Sequence, residues 1–347
     1  MMRERALCLL LAGALASGAA LASDPANSAV APEQRRSVEQ TFLTYPEWFL
    51  VHSPAEYARY TGAHPAHGFP FLGHIRQIWS SYASVTREQV RADYPGNLGY
   101  HVMIGVIAGS TMVEYGLRSA YENTVGRISA ASASGRLSAE DHYGAEVAQD
   151  YVDFIRKEPW YLYDFSARLG GLWKTTPAWG PDLLRKWERR YALSTEYLVK
   201  AAYGKLIKLA TAAAYDPALM TTQAVAARLP AGWTAPEGVK LVRRLADGRA
   251  VLDLPRYYAF RIAATRLAEQ GVDLVDIAGN DTVILVTVIH NERATVEAPG
   301  SRVLFAQPIL TEDGRRRTAL VLPVAGLSSF LAGAAAKGIE VEHVYDY

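Results

Sequence analysis

Apolar and polar positions follow two different rhythms along this chain. Up to about residue 228, apolar residues recur at three- and four-residue steps, the period of helices that bury one face. From residue 239 they gather in short Val-, Leu- and Ile-rich runs punctuated by Gly and Pro, the pattern of strands. The change falls at Leu229-Pro-Ala-Gly-Trp-Thr-Ala-Pro-Glu-Gly238, which reads as a linker over 229–238. The expectation is a mainly α N-terminal helical domain over 41–228, followed over 239–347 by an α+β domain.

Within the helical half, Ser53-Pro54-Ala55-Glu56 offers a capping serine, a first-turn proline and a glutamate placed to close a capping box, predicting a short helix from Pro54 to about Tyr60. Ser138-Ala-Glu-Asp141 marks a second start. Tyr143, Val147, Tyr151 and Phe154 then share a face, and Pro159 places the end near Lys157. The longest helical pattern runs from Asp182 to about Ala213. Around it Lys186, Arg189, Arg190, Lys200 and Lys208 fall on one arc, with Leu184, Tyr191, Leu198, Ala202 and Leu209 opposite. This basic amphipathic pattern predicts an apolar face in the core and a cationic face on water, a membrane or a partner.

The second half repeats itself. Val239–Leu245, a turn at Asp247-Gly248, Ala250–Leu254, a Pro255-led helix to Gln270 and a strand after Gly271 form one ββαβ unit. Val303–Leu310, Asp313-Gly314, Thr318–Leu322, a Pro323-led helix to Lys337 and a strand after Gly338 form another, with a further strand over Asp281–Ile289 between them. A duplicated ββαβ unit predicts an α+β sandwich of ferredoxin-like kind.

The segment 98–117 raises the question of a membrane span, because Tyr94 to Val113 carries no charged residue. Pro95, Gly96, Asn97, His101, Gly105 and Gly109 interrupt it, leaving about 13 good apolar residues where a span needs about 20. A buried central helix is expected instead, its glycines letting neighbours approach. At the N terminus MMRER precedes an uncharged run from Ala6 to Leu21, and Ala20-Leu21-Ala22 offers a cleavage site, so residues 1–22 read as a signal peptide and 23–40 as a flexible segment. The expected location is exported, periplasmic and associated with the inner membrane.

The single cysteine, Cys8, lies inside that leader, so no disulfide framework is expected. Losing Arg3, Glu4 and Arg5 with the leader balances basic and acidic side chains, which argues against a nucleic-acid partner.

No Walker loop, Rossmann fingerprint, HExxH, G-x-S-x-G or calcium loop occurs. The candidate metal ligands are His64, His67, His74 and His101, imidazoles suited to zinc, copper or iron, although Pro65, Gly68 and Pro70 make their segment a loop. The candidate acids or bases are Glu114 and Glu122, accompanied by Asn123, Asp150 and Asp153. Trp48, Trp160 and Tyr161 are candidates to line a ligand groove.

The strings TFLTYPEWFLVHSPAEYA (Thr41–Ala58), MVEYGLRSAYENTVGR (Met112–Arg127) and YVDFIRKEPWYLYDF (Tyr151–Phe165) resemble those of a family of uncharacterised bacterial exported or membrane-associated proteins over roughly 40–215. The resemblance implies export or membrane association and brings no activity or site residue with it. The resulting expectation is a non-enzymatic cell-envelope protein that docks on a membrane face or protein partner, with room for a small ligand. The alternative is a metal-dependent envelope hydrolase or oxidoreductase using the His and Glu residues above. The sequence names no cofactor and fixes no oligomeric state.

Overall fold

A computed structural model describes residues 28–37, 42–211 and 220–345, so the expected leader lies outside the described residues. The described chain forms two compact units, one taking 46–79 and 99–211, the other 28–37, 42–45, 80–98 and 220–345. The N-terminal part is mainly helical, and the C-terminal part carries two antiparallel sheets of four strands.

The helices are α1 (Tyr45–Thr61), α2 (Phe71–Arg91), α3 (Leu98–Tyr121), α4 (Arg127–Ser132), α5 (Ala139–Ile155), α6 (Phe165–Thr175) and α7 (Leu183–Thr211). α1 starts about two turns before the expected Pro54, because Tyr45, Trp48, Phe49, His52 and Glu56 already form one buried stripe at helical spacing. Ser53 is therefore no cap, and Pro54 sits inside the helix. The start of α5 follows the sequence expectation. Ser138 Oγ accepts from the Asp141 backbone N–H at 3.2 Å while Asp141 Oδ2 accepts from that of Ser138 at 2.8 Å, the reciprocal capping box. Between α3 and α4, Glu122–Gly126 is wound as a π-helix, a widened turn found often at functional positions.

In the second unit, β1 (Thr221–Ala226), β2 (Lys240–Arg244), β3 (Ala250–Pro255) and β4 (Leu274–Ile277) make one sheet in the order β2-β3-β1-β4, with α8 (Tyr258–Glu269) between β3 and β4. The strands β5 (Val283–Asn291), β6 (Arg302–Pro308), β7 (Arg315–Pro323) and β8 (Glu340–Val344) make the other in the order β6-β7-β5-β8, with α9 (Val324–Ala334) before β8. The expected ββαβ units each lacked a strand. β5, read as a separate strand between copies, lies inside the second sheet, and β1, upstream of the linker, holds the corresponding place in the first. The helices α8 and α9 share one apolar core with both sheets through Leu252, Phe260, Leu267, Ile284, Leu320 and Leu331. Ser28–Ser37, expected to be flexible, run along the first sheet, where Arg36 N–H donates to Ala278 O at 2.8 Å. Glu88 on α2 pairs with Arg302 on β6 in this same unit.

Candidate functional site

The helical unit has small apolar clusters, such as Val147, Phe165, Leu172 and Leu193, and places much of its charge inside. On α7, Arg185, Lys186, Glu188, Arg189 and Arg190 are all buried. Each cation meets a carboxylate. Arg185 reaches Asp141 at 2.6 Å, Lys186 and Arg190 reach Glu140 at 3.5 and 3.0 Å, and Arg189 reaches Glu122 at 2.9 Å and also pairs with Glu188. Ser129 and Tyr121 donate to Glu188, and Thr176 accepts from Arg190, so the buried charges are also hydrogen-bonded. Burial raises the Glu188 carboxyl, but Arg189, Ser129 and Tyr121 outweigh it and hold it below its ordinary value. Gly126 belongs to this arrangement, since a Cβ there would collide with the Glu122 carboxylate. The π turn thus lets Glu122 face Arg189 at close quarters.

A second ion-pair group lies nearer the surface. Lys200 meets Glu196 at 2.8 Å and Glu114 at 3.2 Å, and Arg118 meets both carboxylates at 3.4 Å while lying over the Tyr57 ring at 4.2 Å. Burial works against the Glu196 charge, yet Arg118 and Lys200 hold its carboxyl down at about 2.

These pairings overturn the expected orientation of α7. Lys186, Arg189 and Arg190 do not form an outer cationic surface, Lys200 is mostly covered, and Lys208 alone of the five candidates is exposed. The residues expected in the core face outward. Leu184, Tyr191, Leu198 and Leu209 are 58, 65, 62 and 76 % exposed, joined by Trp187, Val199, Tyr203 and Leu206. From Leu183 to Ala202 every exposed α7 residue is uncharged, and Lys205 and Lys208 follow at its C-terminal end. The next long helix behaves alike. Val102, Val106, Met112, Val113 and Leu117 of α3 are exposed, and a Cβ built on Gly105, Gly109 or Gly116 meets nothing within 4 Å. Those glycines therefore do not serve close packing, as the sequence suggested. Among the described residues no helix is long and apolar enough to cross a membrane.

Between α6 and α7 a cleft of about 510 Å³ is lined by Leu169, Trp173, Trp187, Arg190, Tyr191 and Leu198. Arg190 lies over the Trp173 and Trp187 rings at 5.3 and 5.5 Å, so its charge is covered by aromatic faces as well as by Glu140. Trp48, Trp160 and Tyr161 do not line this cleft. Trp48 is buried in α1, and Trp160 stacks on Tyr203 at 5.4 Å.

The four candidate metal ligands are dispersed. His64 is exposed beside Tyr60, His67 stands by the π turn with its imidazole lowered by burial and then by Arg127 and Arg185, His101 is on α3, and His74 is fully buried on α2. Among the described residues no three His, Cys, Asp or Glu side chains are placed to hold a metal ion. Glu114 and Glu122 do not converge as an acid/base pair either, each being engaged by cations, while Asn123 donates to Ser119 O, Asp150 accepts from Tyr163 and Asp153 from Arg156.

Sequence reasoning missed the group around His74. Ser53 Oγ lies 2.9 Å from His74 Nδ1 and 2.8 Å from Tyr115 OH, and Glu56 stands between His52 and His74 at 3.6 and 3.5 Å. The available signal was His52-x-x-x-Glu56, one helical turn apart on a stripe otherwise made of aromatic residues.

Compared with protein families, curated proteins and solved structures, the chain matches none of them.

Proposed function

We propose that this protein is a non-enzymatic component of the bacterial cell envelope whose helical unit docks on a lipid surface through the outer faces of α3 and α7. The observation that carries the reading is the inverted arrangement of α7, with cations paired inside and large apolar side chains outside. A helix facing water gains nothing from that arrangement, because exposed apolar surface costs free energy and buried ion pairs need partners to offset their desolvation. A helix facing acyl chains gains from it on both counts. The exposed Trp173, Trp179, Trp187 and Tyr191 suit the headgroup level, where amphipathic rings are favoured, and Lys205 and Lys208 suit anionic headgroups. The open groove between α6 and α7, lined by Leu169, Trp173, Trp187, Tyr191 and Leu198, adds apolar surface to the same face. We also read the sheet unit as a duplication, supported by the equivalent strand orders of its two sheets.

The test is flotation of the full mature chain with phosphatidylcholine vesicles containing phosphatidylglycerol. Wild type is expected to float with the vesicles, and Leu184→Glu with Leu198→Glu is expected to leave the protein in the buffer fraction with an unchanged circular-dichroism spectrum. Wild type remaining wholly in the buffer fraction would overturn the reading.

A further inference from the structure

The two sheets differ in what covers the face turned away from α8 and α9. Their strand orders are equivalent, and the pairing of β2 with β3 slips between Leu241 and Arg243 just as that of β6 with β7 slips between Val303 and Phe305. Leu252 and Leu320 beside the slip both point into the shared core, so Lys240 and Arg243 on one edge strand, and Arg302, Phe305 and Gln307 on the other, face outward. Lys240 thus stands where the second sheet has Arg302, Arg243 where it has Phe305, and Leu245 where it has Gln307.

On the second sheet the chain covers these positions itself. Arg302 donates to both carboxylate oxygens of Glu88 on α2, Gln307 Nε2 donates to Ser80 Oγ on the same helix at 3.0 Å, and Tyr45 meets the Phe305 ring edge-on at 4.8 Å. On the first sheet Ser28–Ser37 lies over β1 and β4, where Ser28 donates to Asp276 at 2.6 Å and the Ala31 N–H to Gln223 at 3.1 Å, and it touches β2 where Ala29 O accepts from Arg243. All five residues of β2 are exposed. Val242, the extra residue of the slip, adds apolar surface between the two outward cations. Among the described residues Lys240 forms no ion pair, although Asp253 lies across from it on β3, and Arg243 meets no carboxylate.

We propose that the β2 flank of the first sheet binds a helix of a partner protein, one that presents a carboxylate to Lys240 and, two turns away, an apolar side chain to Leu245. The contacts on the second sheet fix both the chemistry and the spacing, since Glu88 and Ser80 of α2 are eight residues apart. A second carboxylate midway between those two positions meets Arg243, the cation that replaces Phe305. Apolar surface flanked by cations selects an amphipathic helix with an acidic border over a neutral one. The site lies in the sheet unit and uses no residue of α3 or α7, so it does not depend on lipid docking.

The test is fluorescence anisotropy of a fluorescein-labelled, hydrocarbon-stapled peptide mixed with the full mature chain at low salt. The peptide carries the α2 sequence from Ser80 to Ala92 with Ser80→Leu and Ser84→Glu, which sets an apolar residue and two carboxylates at the required spacing. Saturable binding is expected, and Lys240→Glu in the protein should weaken it by about tenfold with an unchanged circular-dichroism spectrum. Glu88→Lys in the peptide should abolish binding to wild type and restore it to Lys240→Glu, a charge swap that unspecific adhesion would not follow. No saturable binding, or binding indifferent to Lys240→Glu, would overturn the proposal and leave these cations the role of keeping an edge strand from pairing with another. Vesicle flotation of Lys240→Glu should match wild type. Its loss would assign the strip to lipid and overturn the proposal as well, whereas failure of wild type to float touches only the docking of α3 and α7.

Discussion

On β8, His343 is held in an apolar setting against Tyr345, with ring centres 4.6 Å apart. Burial, and then the Arg261 guanidinium, push its imidazole down to about 3. The unfolded chain gains a proton near the ordinary imidazole value of about 6.5, and the folded chain refuses it until far lower pH. The unfolded state therefore binds more protons in that window. The contribution to stability is complete above about pH 6.5 and is lost as pH falls from there toward 3, with roughly 2 kcal/mol gone by pH 5. Urea melts of wild type and His343→Asn at pH 7.5, 6 and 5 check this. The wild-type midpoint should fall more steeply than that of the variant, and parallel slopes would remove His343 as the cause. Single positions also show where local signals mislead. Ser53-Pro-Ala-Glu56 has the spelling of a helix start, yet Ser53 bonds to His74 and Tyr115, partners 21 and 62 residues away. A capping signature records only what its own four residues could do.

At the scale of the helix, α7 was legible in extent and illegible in orientation. Its period places the cations together on one side, and nothing in that period says whether the side faces water or carboxylates. Glu122, Glu140 and Asp141 decide it, and they come from the π turn and the start of α5. In the sheets the long apolar run of β5 was evident, but its partners were not. β1 reads Thr-Thr-Gln-Ala-Val-Ala, too short and polar to stand out ahead of a Pro/Gly stretch, so the first sheet was one strand short. The Arg189 pairings give a quantitative test of the inner face. Arg189→Met strips the buried Glu122 of its cation and leaves Glu188 to Arg185 alone, and should cost about 3–5 kcal/mol in urea unfolding. Adding Glu122→Gln removes the stranded charge and should recover part of that loss. If the single variant cost less than about 1 kcal/mol, the network would be no more than a solvated surface pairing.

For the whole molecule, an inverted α7 changes which charges a membrane can feel. A helix whose five cations faced outward would bind anionic vesicles chiefly by charge and come off in salt. Here three of those cations are neutralised inside and Lys200 is held by Glu114 and Glu196, which leaves Lys205 exposed toward the C-terminal end of α7. An exposed lysine near an anionic surface contributes about 1 kcal/mol, so Lys205 should favour anionic over zwitterionic vesicles by about 1 kcal/mol, or roughly fivefold in partitioning. The apolar face should supply the rest and persist in salt, since burial of Leu184, Tyr191 and Leu198 does not depend on ionic strength. Lys205→Gln should therefore erase most of the anionic preference and leave zwitterionic binding intact. Partition coefficients for wild type and this variant, on both vesicle types at low and high salt, measure the two contributions separately. Binding that vanished in salt on both surfaces would mean that charge, and not the outward apolar face, holds the protein to lipid.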